Sequence, residues 1–196
     1  MNDSSLFEDK PCRYFKKPGP NNTEKVLESA SARAKELEIK KVLMATNSGD
    51  TAFKALDLFD PGITIIAVTH VTGFMKPNFQ EMEEEAKMEL ESKGVKILTC
   101  QHAFGGIGRA IRNKLSTYQF DEIIAFTLRT FGQGTKVAIE LALMAADAGM
   151  VRTDEDVISI GGTGKGADAA LLIQPANSFN FFDLKVKEII CKPRNF

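Results

Sequence analysis

Lys41-Val-Leu-Met-Ala-Thr-Asn-Ser-Gly-Asp-Thr-Ala-Phe-Lys-Ala-Leu56 decides the fold of this chain. Val42–Ala45 is an apolar run with the length of a buried strand, Thr46–Asp50 is a polar turn, and a helix opens at Thr51. The turn leaves the free N–H groups of a helix N-terminus beyond the strand end, where a phosphate or another anion can bind.

Working outward, Ile63–Thr69 is a nearly continuous apolar strand, the pattern of a sheet covered on both faces. A charged helix over Glu81–Lys93 stops at Gly94, and Val95–Cys100 is a third strand. Gly105-Gly106-Ile-Gly108 precedes a basic helix carrying Arg109 and Arg112. Residues 121–149 are mostly helical, with Gly132-Gln-Gly134 marking a helix break or a close helix crossing. Val157–Ile160, Ala169–Gln174 and Glu188–Cys191 supply further strands. Upstream, Tyr14-Phe15 is a short extended piece and Lys16–Pro20 a turn. Asn21 with Glu24 then resembles a capping box, opening an amphipathic helix with Val26, Ala30, Ala34 and Leu37 inward. Residues 1–12 are expected as a flexible tail and 13–196 as a single domain.

Strands alternating with helices specify an α/β fold with a mostly parallel sheet. Right-handed crossovers set the first three strands side by side, and the helical stretch 103–150 carries the chain back over the sheet. The fourth strand then lies on the other side of the first. That reversal opens a crevice at the strand C-termini, lined by Thr46–Asp50 and by Gly161-Gly-Thr-Gly-Lys-Gly-Ala-Asp168.

The balance of 43% hydrophobic and 26% charged residues is that of a soluble globular protein. A net charge of -1 gives no global attraction to nucleic acid or an anionic membrane. Cys12, Cys100 and Cys191 have no disulfide or metal-ligand spacing, and the polar N-terminus is no signal peptide, so the expected location is cytoplasmic.

Ala45-Thr-Asn-Ser-Gly-Asp-Thr-Ala52 followed by Pro61-Gly-Ile-Thr-Ile-Ile-Ala-Val-Thr69 resembles the signature of the pyruvate kinase C-terminal domain. Glu155–Gly162 resembles the strand leading into that domain's second effector loop. Met144–Gly149, Gly161-Gly162 with Gly166-Ala-Asp168, and Glu188–Arg194 are similar to stretches of small stand-alone archaeal and bacterial proteins of that fold. The resemblance implies a three-layer α/β/α sandwich of strand order 3-2-1-4-5, with the last strand antiparallel. It implies bound flavin mononucleotide (FMN) as cofactor, and it admits a homo-oligomer. The kinase reaction itself is excluded, because a catalytic barrel takes about 250 residues.

The cofactor-binding candidates are Thr46, Asn47, Ser48, Gly49, Asp50 and Thr51 on one loop and Gly161, Gly162, Thr163, Gly164, Lys165, Gly166 and Asp168 on the other. Thr69, His70 and His102 complete the set at the ring end. Ser48, Gly49 and Thr51 are the expected phosphate contacts, Lys165 a counter-charge, and Asp168 a partner for ligand hydroxyls or ring nitrogens. Asp50 opposes a phosphate. At ~5 Å its carboxylate costs roughly 3 kcal/mol per ligand charge at an effective dielectric near 20. A helix terminus returns only about 0.3–1 kcal/mol. Asp50 must therefore turn aside to cap its own helix, or the loop takes no dianion, which disfavours fructose bisphosphate.

His102 is the candidate acid or base, since a histidine can move a proton near neutral pH. Two histidines without a third ligand do not make a metal site. The function expected is binding of a phosphorylated flat ligand, either as a flavin-dependent oxidoreductase or as a regulatory module for a sugar phosphate or nucleotide. No nucleic-acid or membrane partner is expected. A flavodoxin-like carrier would need a strongly acidic surface, which the charge does not supply.

Overall fold

A computed structural model describes residues 6–196. Residues 1–5, part of the expected tail, lie outside the described residues, and 6–12 carry no helix or strand. The chain then runs β1 (Arg13–Phe15), α1 (Thr23–Glu36), β2 (Lys41–Ala45), α2 (Asp50–Leu56), β3 (Thr64–Val68), α3 (Glu84–Ser92) and β4 (Lys96–Leu98). Three successive helices follow, α4 (Ile107–Leu115), α5 (Phe120–Arg129) and α6 (Gln133–Asp147). The chain closes with β5 (Val157–Gly161), β6 (Ala169–Gln174) and β7 (Lys185–Pro193).

These strands form one mixed sheet of order β1-β7-β6-β5-β2-β3-β4. All pairings are parallel except β5 with β6 and β6 with β7. The sheet is wider than the five-strand order that the resemblance implies: β7, which contains the strand expected at Glu188–Cys191, continues it past β6, and β1 closes that edge by pairing Arg13 with Cys191. A three-residue strand has little pattern of its own, and its partner sits at the far end of the chain.

Side chains alternate across a strand, and here the alternation divides two cores. Val42 and Met44 of β2, with Ile158 and Ile160 of β5, pack beneath α1, α2 and α3 against Val26, Ala55 and Leu90. Leu43, Ile66 and Val157 face the opposite way and pack under α5 and α6 against Ala125, Ala142 and Leu143. Burying both faces explains why the central strands read as continuous apolar runs.

The start of α1 differs from expectation. A 3-10 turn over Pro20–Asn22 precedes it, and no side chain caps it. The Asn22 amide donates instead to the Lys17 carbonyl at 2.8 Å, so the turn residues stabilise the turn rather than the helix.

Candidate functional site

β2 has β3 on one side and β5 on the other, so the chain reverses direction of growth between β2 and β5. At the C-terminal ends of those two strands lies a cleft of about 650 Å³, within the size range of ligand pockets. Thr46, Asn47, Ser48, Asp50 and Thr51 form one wall, and Gly162, Gly164, Lys165 and Gly166 the other. His70 and Glu81 close one end. Pro20, Thr23, Lys54, Gln133 and Val137 also line it, and sequence reasoning did not assign them to the site. Lys54 had a readable signal, since it stands one turn after Asp50 on the same helix face. The others arrive from α1 and α6 through long-range packing.

The first loop is held by its own residues. Gly49 N–H donates to Thr46 Oγ1 at 3.0 Å. Gly49 adopts φ 99° as the N-cap of α2, a conformation open to glycine and strained for other residues. This turn buries Gly49 and Thr46 and leaves Ser48 and Asp50 exposed to the cleft. Asp50 begins α2 without a capping hydrogen bond. It lines the cleft together with Lys54, whose charge offsets that of its carboxylate.

The second loop is fastened to the corner before α1. Ala167 N–H donates to Thr23 Oγ1 at 3.0 Å, and the Thr23 hydroxyl donates to the Pro20 carbonyl at 2.7 Å. Asp168 is fully buried, and its Oδ2 accepts from Gly19 N–H at 2.9 Å. Its Oδ1 has no partner and points at α6, where a Cβ on Gly134 would meet it at 2.2 Å. Asp168 thus anchors the loop from behind and is absent from the cleft wall. Gly161 also faces away, with its Cα side pressed on the Gly134 carbonyl. Thr163 lies outside the lining, and its Oγ1 is buried without a partner. Lys165 is exposed in the cleft and forms no ion pair among the described residues. The same is true of Lys54.

The two histidines take different places. His70 reaches the cleft with its ring against Phe74, centroids 4.0 Å apart. Its Nδ1 hydrogen-bonds Glu81 Oε2 at 2.6 Å. Its backbone carbonyl accepts from Thr69 Oγ1 and Gln80 Nε2, which assigns Thr69 to holding the loop. His102 lies behind, its centroid 5.4 Å from that of His70 and outside the lining. Val71 N–H donates to His102 Nε2 at 3.2 Å, which places the ring proton on Nδ1. Burial pushes the His102 pKa below its ordinary value, with Glu140 opposing and His70, Lys136 and Arg109 reinforcing.

Behind His102, Lys136 and Glu140 form a buried ion pair on α6. The other Glu140 oxygen accepts from Phe104 N–H at 2.9 Å. Burial lowers the Lys136 pKa, and Glu140 works against that shift. Cys100 is no activated nucleophile, because burial and then Asp147 raise its pKa. Phe179 and Phe182 are exposed and absent from the cleft wall.

A larger hollow of about 750 Å³ lies between α1, β7 and residues 8–13. Its charges are already spent on one another. Arg33 bridges Glu188 at 2.6 Å, and Lys10 bridges Glu36. Among the described residues no group of three or more His, Cys, Asp or Glu could hold a metal ion. No described helix is long and apolar enough to cross a membrane.

Residues 24–172, which include both cleft loops, match the model of the pyruvate kinase alpha/beta domain family. The chain belongs to that family. Three solved structures of pyruvate kinase from Cryptosporidium parvum are similar to it. One is 17% identical over 76% of this chain and 22% of that chain, with a TM-score of 0.40. A complex with ADP is 18% identical over 76% of this chain and 22% of that chain, TM-score 0.39. A third is 17% identical over 80% and 23%, TM-score 0.38. The chain therefore spans less than a quarter of the length of those kinases.

Proposed function

We propose that this chain binds a phosphorylated, flat ligand in the cleft between β2 and β5, with FMN as the leading candidate. The observation that carries the reading is the joint presence there of two lysines without ion partners, Lys54 and Lys165, and two hydroxyls, Ser48 and Thr51. Charge-assisted donors of this kind suit phosphate oxygens. The flat part of the ligand would rest against the His70 imidazole, which Phe74 backs. The residues present thus fit FMN at its phosphate and at its ring. When bound, the flavin ring would supply reversible hydride and electron transfer.

The chain's own contribution is binding and orientation. His102 has its Nε2 occupied by Val71 N–H and does not line the cleft, which argues against it as the acid or base of a reaction there. This favours a ligand-sensing module, which could equally take a sugar phosphate or a nucleotide. One observation supports an oxidoreductase instead. Glu81 holds His70 by Nδ1 and leaves Nε2 without a protein partner among the described residues, in reach of the cleft.

The visible spectrum of the purified protein, followed by titration with FMN, tests the proposal. A flavin absorption band, or saturable binding lost in Ser48→Asp, is the expected result. A colourless protein that binds neither FMN, nor a sugar phosphate, nor a nucleotide refutes it. Reduction of the bound flavin by a pyridine nucleotide, abolished in His70→Ala with the flavin retained, would establish the oxidoreductase over the sensor.

A further inference from the structure

Helix α4 leaves both ends of its apolar row exposed. Its sequence, Ile107-Gly-Arg-Ala-Ile-Arg-Asn-Lys-Leu115, sets Ile107, Ile111 and Leu115 in one row at i, i+4, i+8. Such a row normally seeks the core. Here α4 buries none of its residues fully: Ile111 is half-buried, and Ile107 and Leu115 at the ends of the row are 72% and 66% exposed. Its arginines point inward instead. Arg109 stacks over Phe74 at 5.3 Å with its Nε buried, and Arg112 pairs with the buried Glu122 of α5 at 2.7 Å.

The neighbouring helix repeats the pattern. Ala125 and Glu122 of α5 face inward, while Phe120, Ile123 and Phe126 form an outward row, with Phe120 86% exposed. Tyr118, from the loop joining the helices, packs edge-on to Phe126 at 5.5 Å, and Phe131 follows at the helix end. Aromatic and large aliphatic side chains of this exposure leave on the order of 800 Å² of apolar surface. That exceeds the largest patch usual on a monomer. It equals about one partner's share of a standard interface.

We infer that the outward face of the α4–α5 hairpin is the interface of a homodimer, in which the hairpins of two copies pack face to face about a two-fold axis. The charges decide between occupants. An anionic membrane needs a cluster of about 4–8 free Lys or Arg. In this region Arg109 and Arg112 are engaged inward, and Arg129 is held by Gln133 at 2.7 Å and lies over Phe126. Only Lys114 of these two helices is left as a cation without a partner among the described residues. A nearly uncharged apolar face can meet its own copy without like-charge repulsion, which an isologous interface requires. Two helix pairs apposed in this way form a four-helix layer with ordinary side-chain interdigitation. This inference is independent of the ligand reading, because none of the patch residues lines the cleft.

Sedimentation equilibrium of the full chain over roughly 1–100 μM tests it. The expected mass is about twice 21.5 kDa. Ile123→Glu or Phe120→Glu should weaken the dimer at least about tenfold with the far-ultraviolet circular dichroism unchanged. Phe179→Glu, at a 99% exposed aromatic outside the hairpin, should leave the mass unchanged. A mass of 21.5 kDa throughout overturns the inference. So does a dimer indifferent to both hairpin variants. A monomer that sediments with phosphatidylserine vesicles, and loses this in Ile123→Glu, overturns it in favour of a membrane.

Discussion

Gly161→Ala is the sharpest test of how the cleft is assembled, because it acts on the contact that seats α6 against β5. A Cβ built on Gly161 meets the Gly134 carbonyl oxygen at 2.1 Å and the Ala138 backbone nitrogen at 2.8 Å. Both are helix backbone atoms, which cannot swing aside as a side chain can. An ordinary contact needs about 3.5 Å, so α6 would have to retreat by roughly 1 Å along its first turns. Gly161 shows no positive φ, so the cost is steric and not conformational. Overpacking of a close contact costs about 1–3 kcal/mol and occasionally more. With no flexible neighbour to absorb the methyl, the upper end, about 3 kcal/mol, applies. At a urea m-value near 2 kcal/mol/M the unfolding midpoint should fall by about 1.5 M. Gly62→Ala is the matched control. Its added Cβ meets nothing within 4 Å and its φ is not positive, so reduced chain entropy should leave it neutral or about 0.4–1 kcal/mol more stable. Retreat of α6 would also withdraw Gln133 and Val137 from the cleft, so ligand affinity should fall in Gly161→Ala and hold in Gly62→Ala. A Gly161→Ala protein within about 0.5 kcal/mol of the parent would refute the close seating of α6.

Glu140→Gln removes the counter-charge of buried Lys136 while keeping an acceptor for Phe104 N–H. It should cost about 3–5 kcal/mol in urea unfolding, and adding Lys136→Met should restore most of that. No recovery in the double variant would mean that the pair's charge was not the cost. His102 is held below its ordinary pKa chiefly by burial, so below about 6.5 the unfolded chain takes up a proton that the folded chain refuses. Stability should therefore rise with pH through the window from the folded pKa to about 6.5, by at most about 1.4 kcal/mol per pH unit. In His102→Gln the loss of stability on acidification should be smaller, and an identical loss would remove His102 from the account. Asp50→Asn should tighten binding of FMN or inorganic phosphate in calorimetric titration. For an exposed carboxylate at ~5 Å in water-like dielectric the gain is about 0.8 kcal/mol, or roughly fourfold, per ligand charge. Unchanged affinity would place the phosphate away from α2.

The parts of the fold legible in the sequence are those where local pattern and burial agree. β2, β3, β5 and β6 are apolar runs with both faces covered, and the helices between them have clear periods. Glu188–Cys191 and Tyr14-Phe15 read as extended pieces, but the five-strand order implied by the resemblance leaves both out of the sheet, because β1 and the long β7 pair with each other across nearly the whole chain. Of the cleft, the Thr46–Thr51 turn and the Gly162–Gly166 loop were readable, since each follows a strand end at the reversal of growth. Asp168 and Gly161 carry the same local signal but face the protein interior. Only the docking of Gly19 and α6 reveals that. His70 and His102 both follow strands and looked equivalent. Which of them reaches the cleft goes with the Val71 amide, which engages His102 Nε2, a contact that no spacing encodes.

The reversed polarity of α4 follows from the same topology that makes the cleft. After β4, at one edge of the sheet, the chain must return over β3 and β2 to insert β5. α6 makes that return, packing on β2, β5 and β6 with nearly every residue buried. It uses up the sheet face on that side, and α5 packs on α6 while α4 packs on α5. α4 is the first helix after β4, a strand of only three residues, with little apolar sheet to cover. An apolar row on such a helix gains nothing by turning inward. Its arginines do gain, because Glu122 and the ring of Phe74 are within reach there. Glu122 is buried, and Arg112 spares it the several kcal/mol that an unpaired buried carboxylate costs, more than the ~1.5–3 kcal/mol that burying one aliphatic side chain would return. The arginines therefore win the inner face, and the apolar row is left outward for a second copy to cover. Reversing that choice makes the point testable. Glu122→Leu with Arg112→Leu would let α4 turn its apolar row inward, and the homodimer should weaken although no residue of its outward face has been changed.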